Sequence, residues 1–372
     1  MSVKLEISDA IKHLDEKSVD DNLYYYKYKT KYLQKVLHEN YDKESVEYIS
    51  SYSSFKGEVY ENLIYELLVR YARDSKEIER FVLKGPHQNE SQNIKNGFGI
   101  DRKRQIVYKS GYKDISEFDG LFFTKHSIYF VESTVSKATT GLRKRLRKKK
   151  SLLEYLFPKL HVRALIIVTE EATGTSSFPD FCTVWVTDAI EVDGILHELL
   201  NVDRKLAPFV KVKGKNLIET HTIEHKQFRY FETLKWLLNK SRGAKNGGVD
   251  LQFLKSRTVD KYLDIYTKLY MGYITLKEFR SLAPTFGMKI EHERIIVALE
   301  KRDEEKYNIT YYGKQEGGKL KKIDLSEDGF EITDKEYKGF TTSEIKYLEH
   351  ILKPSHKLHL KNVAYATKGF AS

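Results

Sequence analysis

Residues 162–169 read VRALIIVT, and this unbroken apolar run constrains the fold more than any other stretch of the chain. A strand with one solvated face alternates apolar and polar residues, whereas a strand covered on both faces stays apolar throughout. The run is far shorter than the ~20 residues of a membrane-spanning helix. It therefore predicts the central strand of a sheet that carries helices on both faces, which is an α/β arrangement.

The neighbouring segments predict the rest of a layered domain over residues 51–240. Residues 56–73 show the spacing of an amphipathic helix, and a second helix is expected to begin at Ser136 and to run to about Leu156. Further strands are expected at 80–85, 105–109, 117–124, 127–135 and 182–187. The order of helix, strands, helix, strand and strand is typical of an α/β domain.

Two further regions flank this domain. Residues 1–50 predict a polar N-terminal helical segment. The stretch SRGAKNGG at 241–248 is the best linker candidate, because glycine and serine interrupt regular structure. Beyond it, residues 249–372 predict a mostly helical α+β C-terminal domain for target recognition or dimerisation. Its expected elements are a helical stretch over 249–286, strands near 293–299 and 307–312, and a final helix over 341–352.

Composition favours a polyanionic partner. The 372-residue chain carries a formal net charge of +11, and basic side chains near phosphates release condensed counterions. Cys182 is the single cysteine, so no disulfide can form within the chain and a reducing compartment fits best. With no apolar run of membrane-spanning length and no signal-peptide core, we expect a cytoplasmic protein that does not bind membranes.

Two acids stand at the edges of apolar strands in EFDGLFFTKHSIYFVESTVSK, residues 117–137. A short turn makes the two strands antiparallel neighbours, so Asp119 and Glu132 are expected to converge at one end of the pair. Side chains alternate between faces, so Thr134 shares a face with Glu132. Carboxylates held close together need a cation or proton between them, and their oxygens suit Mg²⁺ or Mn²⁺. Glu61, at the margin of the apolar stripe of helix 56–73, is a candidate third acid.

The helix after Glu132 is strongly basic, since seven of the eight residues from 143 to 150 are lysine or arginine. Leu142, Leu146, Leu153 and Leu156 predict the stripe that docks it on the sheet. The basic face is a candidate for binding a phosphate backbone, with Arg143, Lys144, Arg147 and Lys148 as the expected contacts. A merely solvated face or a lipid-binding patch would carry the same charges.

Together these residues resemble the motifs of the PD-(D/E)XK phosphodiesterase superfamily. The resemblance covers roughly residues 51–190 and consists of G-x-x-x-E at Gly57 to Glu61, Asp119 at a strand opening, and E-x-T at Glu132 to Thr134. It implies a restriction-endonuclease-like mixed sheet flanked by helices. It also implies a Mg²⁺-dependent nuclease, with Asp119 and Glu132 as metal ligands and Glu61 as a supporting acid.

The sequence departs from that pattern at Thr134, which stands where the family has the lysine thought to orient or activate the attacking water. Thr134 cannot supply a positive charge, so another cation is expected to do so. Lys137 is the nearest substitute, while Lys144 or Lys148 on the next helix can also reach inward. Some members of the superfamily similarly use E-x-T or a relocated lysine.

The sequence thus predicts a metal-dependent endonuclease that acts on DNA rather than RNA, with a restriction or defence role by analogy. Because cutting both strands of a duplex needs two sites, a homodimer is expected. The alternative is a nucleic-acid-binding or scaffold protein on the same fold without catalysis, which the threonine at position 134 favours.

Two other stretches offer weaker signals. The run YYYKYKTKYLQKV at 24–36 would suit stacking on single-stranded bases, although a helix with its tyrosines packed inward is the simpler interpretation. His221 and His225 have the spacing of a zinc pair, but no third ligand is evident in the sequence.

Overall fold

The computed structural model describes residues 21–88, 94–201, 210–243, 248–282, 293–301, 307–314, 318, 320–326, 329–332 and 341–371. The chain forms two compact units, Met1–Phe228 and Arg229–Ser372. The division falls before a helix that begins at Tyr230, which the sequence assigned to the first domain. Each unit is described here by itself.

The first unit contains four α-helices among its described residues: α1 (Lys31–His38), α2 (Val46–Asp74), α3 (Leu142–Leu156) and α4 (Asp193–Asn201). Its strands are β1 (Arg80–Val82), β2 (Asn96–Ile100), β3 (Ile106–Ser110), β4 (Lys113–Phe118), β5 (Gly120–Phe123), β6 (Ser127–Thr134), β7 (His161–Thr169), β8 (Cys182–Thr187) and β9 (Leu217–Ile218).

A six-stranded mixed sheet in the order β8-β7-β6-β5-β1-β9 forms the centre of this unit. Strand β6 runs parallel to β7 and antiparallel to β5, and β7 runs parallel to β8. The apolar run at 162–169 is therefore an internal strand, as predicted, and residues 164–168 are at most 1% exposed. The mixed sheet with its helices confirms the α/β class.

Helices cover the two faces of the sheet. Ser45 caps α2, where its side chain accepts a hydrogen bond from the Tyr48 backbone, an interaction that stabilises a helix by about 1 kcal/mol. One core cluster joins α2 to the β6 and β7 side chains Val131 and Leu165. Because side chains alternate along a strand, Glu132 points to the opposite face, which α3 covers.

Aromatic rings cross three neighbouring strands on the α2 side. Phe81 of β1 pairs in register with Phe122 of β5, and Phe122 pairs with Tyr129 of β6. The rings are nearly parallel, with centroids 6.2 Å apart for the first pair and 4.8 Å apart for the second. Such cross-strand contacts contribute about 0.5–1.5 kcal/mol each beyond the area they bury.

A second, three-stranded antiparallel sheet in the order β2-β3-β4 precedes β5 along the chain. The single strand predicted at 117–124 is therefore wrong, because its two halves, β4 and β5, belong to different sheets. Asp119 is the residue between them. The helix predicted from Ser136 begins at Leu142 instead, after a segment that pairs Ala138 with Thr173.

The second unit is built around a five-stranded antiparallel sheet in the order β10-β11-β12-β13-β14. Its strands are β10 (Lys268–Thr275), β11 (Arg294–Lys301), β12 (Tyr307–Lys314), β13 (Leu320–Ser326) and β14 (Gly329–Ile332). Its described helices are α5 (Tyr230–Lys240), α6 (Leu251–Leu254), α7 (Arg257–Tyr266), α8 (Leu276–Leu282), α9 (Thr342–Ile351) and α10 (Leu360–Ala371). The mostly helical stretch predicted at 249–286 contains α6, α7 and α8, but the strand β10 interrupts it.

Candidate functional site

Asp119 lies at the corner where the chain leaves the three-stranded sheet and enters the six-stranded one. Its Oδ2 accepts a hydrogen bond of 2.8 Å from the backbone amide of Ser133. Gly120 pairs with Val131, so the next step of this register brings Asp119 beside Glu132. The corner therefore holds the Asp119 carboxylate against the backbone of the E-x-T segment. This contact explains why an acid interrupts the apolar stretch at 117–124.

Glu132 is almost completely enclosed, with 1% of its side chain exposed. Two cations from α3 contact its carboxylate: the Lys149 ammonium touches Oε1, and the Arg145 guanidinium lies 2.8 Å from Oε2. Neither oxygen accepts a hydrogen bond of good geometry from any described residue. The carboxylate is thus neutralised mainly by charge, as a buried ion must be.

Lys149 is the more deeply buried of the two cations that contact Glu132, since only 6% of its side chain is exposed. Its ammonium lies over the Phe118 ring, 5.4 Å from the centroid. Burial lowers the pKa of Lys149, while the charges of Asp119 and Glu61 oppose that shift. A lysine whose pKa is lowered in this way releases a proton more readily than one in water.

Glu61 projects from α2 toward the same acids. Burial raises the pKa of Glu61, and the nearby charge of Asp119 raises it further, whereas Lys84 and Lys149 lower it. The Lys84 ammonium donates a hydrogen bond of 2.7 Å to Glu61 Oε1. Glu61, Asp119 and Glu132 therefore form one electrostatic group that interleaves with two buried lysines.

Lys84 is fully buried and is positioned by its own backbone as well as by its ammonium. The ammonium also donates to Gln105 Oε1 at 2.8 Å, and it lies 5.0 Å from the centroid of the Tyr65 ring. The Lys84 amide donates to the Tyr65 hydroxyl at 2.6 Å. Gly85 follows with φ +63°, and a Cβ there would collide with the ring of Tyr26.

A buried hydrogen-bond network lies directly behind this turn. Glu66 Oε1 accepts from the Tyr26 hydroxyl at 2.6 Å, and His87 Nε2 lies 2.7 Å from the same oxygen. Asn22 donates to the other oxygen of Glu66 at 3.2 Å. Tyr26 comes from the aromatic-basic run at 24–36 and packs inward, so the N-terminal segment braces the loop that carries Lys84.

Other predicted site residues have partners outside this group. The ammonium of Lys137, the expected substitute for the family's lysine, forms an exposed ion pair with Glu171 at 3.2 Å. The Thr134 hydroxyl accepts a hydrogen bond of 3.1 Å from the Ser136 amide. His221 pairs with Glu219, whereas His225 packs against the ring of Phe98.

Of the four residues predicted to contact nucleic acid, Lys144 is exposed, and Arg143, Arg147 and Lys148 are half-buried on α3. Some basic side chains of α3 therefore face solvent, whereas others face the sheet. Arg145 and Lys149, one turn apart, face Glu132, and side chains four residues apart share a helix face.

Sequence reasoning missed Lys149, Arg145 and Lys84. For Lys149 a signal was present, because position 149 continues the stripe of Leu142, Leu146, Leu153 and Leu156 at spacings of three and four. A lysine in an otherwise leucine stripe indicates a buried cation, which needs an acid across the interface. Arg145 carries no such signal, because Leu146 occupies the stripe at that turn, and nothing in the sequence around Lys84 marks it as buried.

The donor chemistry of the site fits Mg²⁺ or Mn²⁺ in kind, since every candidate ligand is a carboxylate oxygen. Both enclosed Glu132 oxygens are already in contact with cations, Oε1 with Lys149 and Oε2 with Arg145. No group of three His, Cys, Asp or Glu side chains within the described ranges is already arranged around one point. Binding of an ion at Glu132 would therefore require one of its cations to move.

Within the part of the chain that the structure describes, no helix combines the length and apolar character needed to cross a bilayer. The chain matches no protein-family model, no curated protein and no solved structure.

Proposed function

We propose that this chain is a metal-dependent nuclease that hydrolyses phosphodiester bonds. The observation that carries the proposal is the meeting of Asp119, Glu132 and a buried lysine, Lys149, at one end of the β5–β6 pair. Carboxylates that bind a hard cation, beside an ammonium that can hold or donate a proton, are the equipment that metal-assisted phosphodiester hydrolysis needs. The proposal is supported by these contacts and by the sequence resemblance.

The order of elements supports a restriction-endonuclease-like fold for residues 51–190. Helix α2 carries Glu61, strands β1, β5 and β6 follow with the small sheet inserted between the first two, and α3 leads to β7. The resemblance implies the same order of helix, three strands, helix and strand. Strand β7 lies parallel to β6, beside the E-x-T segment.

In this proposal Asp119 and Glu132 would hold Mg²⁺, with Glu61 as the supporting acid. The ion, when bound, would act as a Lewis acid toward the scissile phosphate. Lys149 would take the role that the resemblance gives to a lysine at position 134, because its ammonium contacts Glu132. Burial and the lowered pKa suit it to exchange a proton, while Lys84 holds the Glu61 carboxylate in one orientation.

The substrate class follows from charge and from the resemblance. The net charge of +11 and the exposed Lys144 on α3 favour a polyanion, and DNA is preferred to RNA on the family resemblance. A homodimer that cuts both strands, a cytoplasmic location and a defence role belong to the same proposal. The second unit would select the target or support dimerisation.

A second candidate is a nucleic-acid-binding or scaffold protein without catalysis. One observation favours it: Glu132 is already neutralised by Lys149 and Arg145, and Glu61 by Lys84. An acid–lysine network of this kind can serve as a structural core that needs no ion. Both candidates predict binding of nucleic acid, so hydrolysis is the property that distinguishes them.

The test is hydrolysis of plasmid DNA, single-stranded DNA and RNA in Mg²⁺, Mn²⁺ or EDTA. We expect cleavage of at least one substrate that EDTA abolishes and that Asp119→Asn or Glu132→Gln reduces at least ~100-fold. Asp114→Asn is the matched control, because Asp114 is an exposed acid on β4 that pairs with Lys109. It is expected to retain cleavage.

Cleavage that survives both site substitutions would contradict this site assignment. No cleavage of any substrate, together with salt-sensitive binding of nucleic acid, would favour the non-catalytic candidate.

A further inference from the structure

The two oxygens of Glu132 differ in the cation that each one contacts. Oε1 faces Lys149, of which only 6% is exposed, and Oε2 faces Arg145, of which 52% is exposed. The two cations belong to one face of α3, one helical turn apart. The carboxylate thus has one interior counter-ion and one that reaches it from the solvent side.

Only Arg145 can leave Glu132 at small cost. Moving the Lys149 ammonium to water would require α3 to separate from the sheet, because the apolar stripe around position 149 is buried. The Arg145 guanidinium is already half in solvent, so a change of rotamer can hydrate it. A divalent cation that replaced the guanidinium would keep Oε2 beside a positive charge, so the buried carboxylate would not be left uncompensated.

A divalent cation at Oε2 and the Arg145 guanidinium exclude each other, because like charges within a few ångströms repel strongly. Once displaced, the half-exposed guanidinium would be available to a polyanion that binds beside the acid site. Its planar fork matches the oxygens of a phosphate better than an ammonium does.

We propose that Arg145 is an exchangeable counter-ion of Glu132. It holds Oε2 in the metal-free protein, yields that oxygen to a divalent cation, and then binds a phosphate of the nucleic acid. Its role is therefore to keep the buried carboxylate paired until both ligands arrive. Only the last step, contact with phosphate, rests on the proposed function.

The first test measures Mn²⁺ binding to the free full-length protein by electron paramagnetic resonance, without nucleic acid. Removing the competing charge in Arg145→Gln is expected to tighten Mn²⁺ binding by about three- to ten-fold. Arg145→Lys keeps a cation at the position and is expected to remain close to wild type. Lys144→Gln removes the same charge from an exposed position on the same helix and is the control.

The inference is overturned if Arg145→Gln binds Mn²⁺ no more tightly than Lys144→Gln, or if neither variant binds it. Equal tightening in both variants would mean that only the general field of the helix had changed. Because the side chain is half-exposed, Arg145→Gln is expected to fold. Arg145→Ala, which also removes the charge, provides the same comparison if it does not.

The second test follows the phosphate contact through the salt dependence of oligonucleotide binding. Each phosphate contact adds about one to the slope of log affinity against log salt. In EDTA the wild type and Arg145→Gln are expected to share one slope, since Arg145 is engaged by Glu132. In Ca²⁺, which carboxylates also bind, the wild-type slope is expected to exceed that of the variant by about one.

Identical slopes in Ca²⁺ would exclude the phosphate contact. Failure of the inference is distinguishable from failure of the proposed nuclease activity. Hydrolysis that depends on Asp119, with unchanged Mn²⁺ binding in Arg145→Gln, would contradict only the proposal that a divalent cation replaces Arg145 at Glu132. Tighter Mn²⁺ binding in Arg145→Gln, without hydrolysis by any form of the protein, would support the exchange at Glu132 and contradict the nuclease activity.

Discussion

At the scale of single residues, Lys149 shows how a cation can be supplied to an acid from another element. Placing an ammonium in the protein interior is unfavourable, and the lowered pKa of Lys149 reflects that cost. The Glu132 carboxylate offsets it, because each ion is the counter-charge of the other. Thr134 can therefore be neutral, since the neighbouring helix already places a lysine on the Glu132 side of the sheet.

Substitutions at Lys149 and Thr134 test whether Lys149 does the work of the lysine that the family motif has at position 134. Lys149→Met is expected to reduce cleavage by about 10²- to 10⁴-fold, the usual contribution of a group that transfers or orients a proton. Adding Thr134→Lys in the same chain is expected to restore part of the activity, because position 134 shares a face with Glu132. Rates of plasmid cleavage at saturating Mg²⁺ measure both effects.

Lys150→Met is the matched control, since Lys150 is adjacent on α3 but pairs with Glu154. If Lys149→Met cleaved as fast as Lys150→Met, Lys149 would be a structural ion only. If the double variant recovered nothing, the two positions would not be equivalent in the site.

At this scale the sequence predicted the acids and missed the lysine for a physical reason. Asp119 and Glu132 interrupt apolar strands, where a charge is conspicuous. Lys149 stands among seven basic residues, so its burial is visible only through the leucine spacing of α3. Whether a given lysine in such a run points inward depends on how the helix docks against the acid on β6, which the spacing within the run does not show.

At the scale of elements, the turn after β1 determines where Lys84 meets Glu61. Gly85 has φ +63°, a region that side chains with a Cβ disfavour, and Tyr26 closes the space beside it. The Gly85 amide donates to the Arg104 carbonyl at 2.9 Å, which ties the turn to the β2–β3 hairpin. A glycine at this point therefore allows Lys84 to turn inward.

Gly85→Ala is expected to lower the free energy of unfolding of the first unit by about 2–4 kcal/mol, from backbone strain together with the collision at Tyr26. Gly141→Ala is the control, because a Cβ at Gly141 meets no atom within 4 Å and φ there is −66°. Urea unfolding followed by Trp185 fluorescence gives both values. Equal stability of the two variants would mean that the turn relaxes freely.

At this scale the sequence predicted the later part of α2 from its helical spacing and the internal strand β7 from its unbroken apolar run, whereas α2 begins earlier, at Val46. The prediction failed at the boundary between β4 and β5. An apolar run that continues across a corner looks like one strand, and only the change of hydrogen-bond partners at Asp119 divides it. The same limitation hid β10 within a stretch that looked helical.

At the scale of the whole molecule, the chain divides into two units that each bury an apolar core of their own. Leu68 in the first unit and Leu263 in the second are at most 1% exposed. The chain has two tryptophans, Trp185 on β8 and Trp236 on α5, so each unit contains one. Units with separate cores are expected to unfold in separate transitions.

Single-tryptophan variants, Trp185→Phe and Trp236→Phe, allow this to be measured. Leu68→Ala is expected to destabilise the first unit by about 2–5 kcal/mol, which lowers its urea midpoint by roughly 1–2 M. The shift is expected in the Trp185 signal and not in the Trp236 signal. Equal shifts of both signals would indicate one cooperative unit.

The sequence predicted two domains from the linker candidate at 241–248, but the units divide at residue 228. Linker composition marks where the chain can bend. It does not say which core will bury the helix next to it. Tyr230 illustrates this, because its hydroxyl donates to Glu344, a residue far along the second unit that no local pattern associates with it.

The ring stack of Phe81, Phe122 and Tyr129 favours one register of β1, β5 and β6, and the acid site depends on that register. Because strand side chains alternate, sliding β6 by one residue would break the stack and turn Glu132 toward α2, away from both of its cations. Sliding by two residues would keep the face but separate Asp119 from Ser133. The register of β6 therefore determines whether Asp119, Glu132 and the cations of α3 can meet at one place.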